Sequence, residues 1–313
     1  MGGVRAVILI LYRLGMEQSS TIGFIGQGWI GKHYADDFET RGFGVVRYAK
    51  EAPHDTNAER IKECGIVFVA VPTPTTPAGF DASIVKGVLA HLAPGTVAVI
   101  KSTLAPGTTE ALQEAYPDLF VLHSPEFLRE ASAAYDAAHP ARTIIGIPRD
   151  TEAYRAKAEE VIAVLPTAPY VRICSAREAE LVKYAGNCFL FTKVVFMNML
   201  YDLAAKEGCA WDVVREMMVA DERIGASHTN PVFHSGHADK DTPPGRGAGG
   251  HCFIKDFAAF ATLYEKAVGD TAGVLALRAL EEKNKRLLCE SGKDSDLLEG
   301  VYGMGTCGTD HIV

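Results

Sequence analysis

The stretch from Gly245 to Asp256 carries the residue types that cysteine chemistry requires. Cys252 follows four glycines and precedes a Lys255–Asp256 pair. Glycines let backbone and ligand approach each other closely because they have no side chain. The apolar residues from Phe253 onward predict a helix, which places Cys252 at a helix N-terminus, where the dipole and free N–H groups favour the thiolate. The stretch is interpreted either as a nucleophile site or as a glycine-rich loop with a buried cysteine.

A second glycine-rich turn lies near the start of the chain. The strand Thr21–Ile25 runs directly into the sequence G-x-G-x-x-G, and a helix follows. In this context Gly26 permits a tight turn, Gly28 lets a pyrophosphate approach, and Gly31 allows close packing of helix on strand. The phosphates then lie at the helix N-terminus. The pattern predicts a dinucleotide-binding site.

The end of the second predicted strand bears on the choice of dinucleotide. An acid that bonds the adenosine ribose is expected there, but the position holds Ala49. Either Glu51 substitutes for that acid or the contact is lost. Lys50 and Arg47 would tolerate a 2′-phosphate. NAD is therefore the predicted cofactor, with NADP as the alternative.

Chain length, net charge and cysteine content limit the classes of protein to which the chain can belong. The chain has 313 residues, enough for two ordinary domains, and its net charge of −8 without a long basic run argues against nucleic acid as a partner. The seven cysteines are scattered, odd in number and form no CxxC, which predicts reduced thiols in a cytoplasm and no metal site. The apolar run 7–12 is too short to span a bilayer, so no membrane partner is predicted.

Two patterns divide the chain. Apolar runs alternate with helical segments up to about residue 173, which indicates an α/β fold with a Rossmann-like doubly wound sheet. Helical spacing then predicts one long helix from 176 to about 207 and further helices that complete an all-helical second half. Lys183 and Asn187, four residues apart, share one face of the long helix. The predicted domains are an N-terminal extension (1–20), a dinucleotide-binding domain (21–174), a helical catalytic and dimerisation domain (175–292) and the remnant of a third domain or a tail (293–313).

Several motifs together point to one family. They are Gly26 to Gly31, Val71-Pro72-Thr73-Pro74, Lys101-Ser102-Thr103, Pro125-Glu126-Phe127-Leu128-Arg129-Glu130, Lys183 with Asn187, Arg223-Ile224-Gly225, and Gly249 to Asp256. In this order, from about residue 21 to 290, the chain resembles the UDP-glucose/GDP-mannose dehydrogenases. These enzymes oxidise the C6 alcohol of a nucleotide sugar to a carboxylate with two NAD. The resemblance implies UDP-glucose as the default substrate, with UDP-N-acetylhexosamines as the alternative.

The resemblance also implies roles for individual residues. Cys252 matches the nucleophile that attacks the aldehyde to give a thiohemiacetal and, after the second oxidation, a thioester. Lys183 and Asn187 match the pair that holds the developing oxyanion. Asp256 matches a carboxylate that takes part in proton transfer or water ordering.

Further roles concern water, cofactor, substrate and subunit contacts. Thr103 and Glu126 match residues that position or activate water. Arg223 resembles an arginine that reaches the substrate of the neighbouring subunit, which implies a homodimer built on the long helix. The residues implied in cofactor binding are Gly26, Gln27, Gly28, Trp29, Ile30, Gly31, Val71, Pro72, Thr73, Thr103, Glu130 and Lys255. Those implied in substrate binding are Glu126, Phe127, Leu128, Arg129, Glu130, Lys183, Asn187, Arg223 and Gly249.

The chain departs from the family pattern near its end. The family continues into a third α/β domain that grips the nucleotide, whereas here Gly300 to Gly305 resembles only its first strand and turn before the sequence stops. A short form is therefore expected, and with it a rival hypothesis: a truncated, non-catalytic protein that binds NAD or a nucleotide sugar. A two-electron hydroxyacid dehydrogenase of similar layout is a third hypothesis, and it needs no cysteine.

Overall fold

The computed structural model describes residues 21–129, 132–234 and 244–307. These residues form two compact units. The first comprises the described chain up to Thr73 together with Asp81–Lys183, and the second comprises Pro74–Phe80 with the described chain from Tyr184 onward. The domain limits given above stay predictions, and the extension 1–20 lies outside the described residues.

The first unit is built on a seven-stranded sheet in the order β2-β1-β3-β6-β7-β8-β9, in which only the pair β7 and β8 is antiparallel. Its strands are β1 (Thr21–Ile25), β2 (Gly44–Tyr48), β3 (Ile66–Val69), β6 (Val97–Ile100), β7 (Phe120–His123), β8 (Arg142–Ile147) and β9 (Tyr170–Ser175). Its helices are α1 (Trp29–Thr40), α2 (Ala58–Ile61), α3 (Ser83–Leu89), α4 (Thr108–Ala115), α5 (Ala133–Ala138) and α6 (Glu152–Val164). The predicted Rossmann-like doubly wound sheet is confirmed.

The central strands are apolar throughout because helices cover both faces of the sheet. All residues of β3 and β6 are buried. Rings from one face pack together, with the centroid of Phe24 lying 5.2 Å from Phe38 and 5.1 Å from Phe68. The parallel register aligns the carboxyl ends of β1, β3, β6 and β7. The loops that follow these strands therefore begin at one edge of the sheet, where such folds bind ligands.

The second unit is helical. It contains most of α7 (Ala176–Lys206), which starts in the first unit, followed by α8 (Trp211–Val219), α9 (Gly250–Ala267), α10 (Thr271–Ser291) and α11 (Ser295–Tyr302). Two short antiparallel ribbons add to the predicted helices: β4 (Thr75–Thr76) with β5 (Gly79–Phe80), and β10 (Val232–Phe233) with β11 (Gly245–Arg246). Tyr184, Phe191 and Phe257 form the centre of its core. The predicted helical domain on a long central helix is confirmed.

Two expectations for the C-terminal part are wrong. The segment predicted to resemble a strand and turn lies partly in α11, because Leu298 packs at helical spacing against Ile254 and Leu288 in a buried cluster. The structure also joins Cys289 to Cys307 in a disulfide, so the seven cysteines are not all reduced thiols. Sequence spacing could not reveal this pair, since the fold of the chain after α11 brings Cys307 back to α10.

The long helix α7 has the length and mean hydropathy of a membrane span, and 39% of its apolar window is buried. Among the described residues no second helix meets the same criteria. Core helices of globular proteins also meet them, so length and composition do not distinguish the two cases. Several large apolar side chains of this helix are exposed in the single chain.

Candidate active site

The glycine turn after β1 has the shape that a dinucleotide requires. Gly26 adopts a φ of 90°, and a Cβ there would lie 2.2 Å from the carbonyl oxygen of Ala70. A Cβ at Gly31 would lie 1.9 Å from the carbonyl oxygen of Gly26. A Cβ at Gly28, in contrast, would meet no atom within 4 Å. Gly26 and Gly31 are thus required by packing, while Gly28 leaves an open side.

The first turn of α1 suits an anion. No side chain caps it, and it contains no acidic residue. Its N–H groups therefore remain for phosphate oxygens. The predicted cofactor residues Trp29 and Ile30 open this helix, and Gln27 donates to the carbonyl oxygen of Gly26 at 3.1 Å. These residues fit the pyrophosphate of NAD.

Arg47 at the end of β2 is already paired. Its guanidinium lies 2.7 Å from Asp36 and 2.8 Å from Glu39 on α1. It also donates to Oε1 of Gln27 at 3.3 Å. An arginine held by two carboxylates is a poor receptor for an additional 2′-phosphate. This pairing favours NAD over NADP.

The loops after β3 and β6 are tied together. Ser102 Oγ accepts the backbone N–H of Val71 at 3.0 Å and donates to its carbonyl oxygen at 2.7 Å. Thr73 Oγ1 donates to the carbonyl oxygen of Thr103 at 2.8 Å. The structure therefore brings together Val71, Pro72, Thr73 and Thr103, all of which were predicted to contact the cofactor.

Two predicted catalytic residues of the first unit form one buried ion pair. Lys183 Nζ lies 2.8 Å from Glu126 Oε1 and 2.8 Å from the Glu126 carbonyl oxygen. Each side chain is 6% exposed. The other carboxylate oxygen, Oε2, accepts the N–H of Leu128 at 2.7 Å, which fixes the loop after β7. Breaking such a pair on one side leaves an uncompensated buried charge.

The other described residues of that loop make contacts of their own. The guanidinium of Arg142 covers the Phe127 ring at 3.7 Å from the centroid, and Arg129 pairs with Asp136 at 2.6 Å. A cavity of about 440 Å³ borders Phe127, Leu128 and Arg129. Glu130, predicted to bind cofactor and substrate, lies outside the described residues.

Sequence reasoning missed two buried groups in the first unit. Lys101 Nζ donates to Ser124 Oγ at 3.0 Å, and burial lowers the pKa of its amine to about 7. Burial, with the nearby charges of Lys101 and Lys183, lowers the pKa of the His123 imidazole to about 3, so it is neutral. Lys101 belongs to the Lys101-Ser102-Thr103 motif, and only its burial distinguishes it from a surface lysine.

In the second unit, Cys252 is the third residue of α9 and is exposed. Cys252 therefore lies at a helix N-terminus, as expected, although the helix begins at Gly250 rather than near Phe253. No acidic residue lies in its first turn. The helix dipole and the first-turn N–H groups therefore favour a negative charge on the sulfur.

Asp256 lies one turn further along α9 and is fully buried. Its Oδ2 accepts Nδ2 of Asn187 at 2.6 Å, and its Oδ1 lies 2.5 Å from Lys255 Nζ. Asp256 and Asn187, each predicted to be catalytic but not as partners, are thus in contact across 69 residues of sequence. Lys255, predicted to bind the cofactor, is the counter-ion of Asp256.

Side chains that the sequence did not single out hold the glycine run before Cys252. Asn284 Oδ1 accepts the N–H of Ala248 at 2.7 Å, and its Nδ2 donates to the Ala248 carbonyl oxygen at 3.0 Å. Ser291 Oγ accepts the N–H of Arg246 at 3.0 Å. A Cβ at Gly249 would lie 2.1 Å from Asp294 Oδ2, which explains the glycine there.

Arg223 follows α8 on the surface of the second unit. Its side chain is 89% exposed and pairs with Asp221 at 2.5 Å. Lys193 holds the following turn by donating to the carbonyl oxygens of Ile224 and Gly225 at 2.7 and 3.1 Å. These contacts do not test the predicted substrate role of Arg223, which stays a prediction.

The fold and the glycine turn define a dinucleotide-binding protein with a Rossmann-like unit and a helical unit. The chain belongs to the UDP-glucose/GDP-mannose dehydrogenase family: its NAD-binding domain model matches residues 48–165, and its central domain model matches residues 177–286. The predicted family is confirmed, and NAD is the cofactor.

Individual relatives agree. The chain is 34% identical over 249 residues to a UDP-glucose 6-dehydrogenase of Pseudomonas aeruginosa, covering 75% of this chain and 52% of that protein. It is 32% identical over 265 residues to one of Bacillus subtilis, covering 80% and 55%. A UDP-glucose dehydrogenase structure from Pyrobaculum islandicum superposes with a TM-score of 0.72 at 28% identity, covering 88% of this chain and 70% of that one. The chain spans about half the length of the curated relatives it matches.

Proposed function

We propose that the protein oxidises the C6 alcohol of a nucleotide sugar, UDP-glucose by default, to the uronic acid with two NAD. The observation that carries the proposal is the arrangement on α9: an exposed Cys252 in the first turn, and one turn later a buried Asp256 bonded to Asn187. A two-electron alcohol dehydrogenase has no need of such a cysteine. A four-electron oxidation does, because an aldehyde must become tetrahedral before it can lose a second hydride.

The chemistry proceeds in three stages. The substrate hydroxyl loses its proton and C6 loses a hydride, which leaves an aldehyde. The Cys252 sulfur then forms a bond to C6, and loss of a second hydride from the thiohemiacetal gives a thioester. Water attacks the thioester, the C–S bond breaks, and the carboxylate leaves while the thiol is regenerated. NAD supplies the hydride acceptor, one molecule for each oxidation.

The predicted catalytic side chains would stabilise the negative charge that develops on the substrate oxygen and activate the attacking water. Lys183 and Asn187, one turn apart on α7, donate hydrogen bonds to the oxygen that becomes negative in the alkoxide and thiohemiacetal. Glu126 takes a proton from the attacking water, with Thr103 orienting it, and its contact with Lys183 holds the carboxylate in position. Asp256 holds the Asn187 amide in place.

The test is the stoichiometry of NADH formation. The purified chain is supplied with NAD and, separately, UDP-glucose, a UDP-N-acetylhexosamine and GDP-mannose, and NADH is counted by absorbance. We expect two NADH per molecule of one nucleotide sugar. One NADH per sugar would support the hydroxyacid dehydrogenase hypothesis. Tight binding without NADH on any sugar would support the binding-protein hypothesis, and either result contradicts the proposal.

We further propose that a second copy of the chain covers α7. Large apolar side chains on its second-unit part stay exposed and recur at intervals of seven, three and four residues, which places them on one stripe. They are Phe189, Phe196, Met199 and Leu203, at 68%, 54%, 49% and 56% exposure. A stripe of this kind on a long helix is typical of a helix–helix interface between subunits.

A charge at the centre of this stripe is expected to separate the subunits. Phe196→Glu should convert a dimer to a monomer, because a buried carboxylate without a partner opposes association. The measurement is molar mass by light scattering on a size-exclusion column. Glu207→Gln, at an exposed position just after α7, serves as the control and should stay dimeric. A wild-type chain that is monomeric at all concentrations would overturn this proposal.

A further inference from the structure

Lys293 and Asp294 join α10 to α11 and have no part in the proposed chemistry. Both are buried, at 2% and 9% exposure. Asp294 also adopts a φ of 54°, in the left-handed region that residues with a side chain seldom occupy. Two adjacent buried charges in a connection between two helices are uncommon, since burying a charge is unfavourable unless the charge is paired or hydrogen-bonded. The hydrogen-bond partners of Lys293 and Asp294 show which parts of the chain these charges stabilise.

Lys293 holds the backbone of the glycine run. Its Nζ donates to the carbonyl oxygens of Gly247 at 3.1 Å and Gly245 at 3.4 Å. It also lies 3.4 Å from the centre of the Phe233 ring on β10. Burial lowers the pKa of this amine to about 8, and the neighbouring Asp294 opposes that shift, so the ammonium form is present at neutral pH.

Asp294 holds the start of α9. Its Oδ2 accepts the N–H of Gly250, the first residue of the helix, at 2.8 Å. Cys252 lies two residues further, in the same turn. A carboxylate at a helix N-terminus stabilises the helix, but it also competes with any other negative charge in that turn. The thiolate of Cys252 would be such a charge.

We propose that Lys293 and Asp294 are positioning residues that set the reactivity of Cys252 in opposite directions. Lys293 keeps the glycine run in place and adds positive charge near the helix start. Asp294 fixes the first N–H of α9 and adds negative charge there. The proposal rests on Cys252 being the nucleophile of the proposed function. Among the described residues, the charged and titratable groups near the start of α9 include Lys293 and Asp294 from the α10–α11 connection, His228 against the Phe253 ring, and His251, Lys255 and Asp256 of α9 itself.

The experiment measures alkylation of Cys252 by iodoacetamide between pH 6 and 9, with the modified peptide quantified by mass spectrometry. Because Cys252 is exposed, the rate follows its thiolate fraction rather than its accessibility. Cys209, the other exposed cysteine outside the disulfide, is the reference within the same molecule. The result is the ratio of the two rates.

Asp294→Asn removes the charge and keeps an oxygen for the Gly250 N–H. It should raise the rate at Cys252 about two- to tenfold at pH 7 and lower the pH midpoint. Lys293→Met keeps the length of the side chain and removes the ammonium. It should lower the rate about two- to tenfold and raise the midpoint. Asp296→Asn and Lys266→Met, the same substitutions at exposed positions, should leave the ratio unchanged.

A purely structural role would move both variants in the same direction, because both loosen the same backbone. That outcome, or no change in Asp294→Asn, overturns the proposal. If Lys293→Met does not fold, Asp294→Asn decides alone, since it is nearly isosteric. The assay requires no substrate, so a shift in alkylation with no NADH formation would refute the proposed function and leave the positioning role standing.

Discussion

Replacing Cys252 with alanine is expected to stop the oxidation of the nucleotide sugar before the acid is formed. Without the thiolate there is no tetrahedral adduct from which a second hydride can leave, so acid formation should fall by about three orders of magnitude or more. The first oxidation does not involve the sulfur and should survive at the level of a single turnover. The measurement is NADH per enzyme active site in a rapid-mixing experiment, together with the uronic acid released at long times.

Cys209→Ala is the matched control, since it removes an exposed cysteine that is distant in sequence and lies after the end of α7. That variant should retain two NADH per sugar at the wild-type rate. The hypothesis of a cysteine nucleophile fails if Cys252→Ala still yields two NADH and the acid. Alkylated wild-type protein should behave as Cys252→Ala does, and this gives a second measurement on an unmutated chain.

Replacing Lys183 with methionine should have the largest effect on stability. The change leaves the Glu126 carboxylate buried without its ammonium partner, and such one-sided losses cost about 3–5 kcal/mol of unfolding free energy. The variant should also lose turnover, because the proposed oxyanion donor is gone. Urea denaturation followed by circular dichroism measures the first effect, and NADH formation measures the second.

A double variant separates the two effects. Lys183→Met combined with Glu126→Gln removes both charges and should recover most of the lost stability without recovering turnover. Lys157→Met provides the control, because it breaks an ion pair with Glu160 whose side chains are 29% and 23% exposed, and should cost less than about 1 kcal/mol. Equal losses of unfolding free energy in Lys183→Met and Lys157→Met would show that the buried ion pair contributes no more to stability than the partly exposed one.

Much of the fold was predictable because its signals are local. A buried parallel strand is a continuous apolar run, and β3 and β6 are such runs. The roles of Gly26 and Gly31 follow from the geometry of any strand–turn–helix unit, and a Cβ at either position would indeed collide with backbone oxygen. Helical spacing located α7 and placed Cys252 in the first turn of a helix. These features depend on residues within a few positions of one another.

The partners of the site residues could not be predicted in this way. The amide of Asn187 is bonded to Asp256 over 69 positions, and Lys183 to Glu126 over 57. The sequence motifs identified these residues as candidates for the site but did not predict which of them are in contact. The same limit applies to Asn284, whose amide satisfies both backbone groups of Ala248. Such pairing depends on which buried polar groups the folded chain leaves to be satisfied.

By itself, the sequence determined the nucleotide turn, the succession of strands and helices, and the cysteine with its glycine-rich approach. Only the tertiary structure decided that Lys183 neutralises Glu126, that Lys293 and Asp294 hold the start of α9, and that Cys289 pairs with Cys307. The physical reason is the sequence distance over which each interaction acts. Backbone conformation follows from neighbouring residues, whereas burial and charge pairing depend on distant segments that meet only in the folded protein.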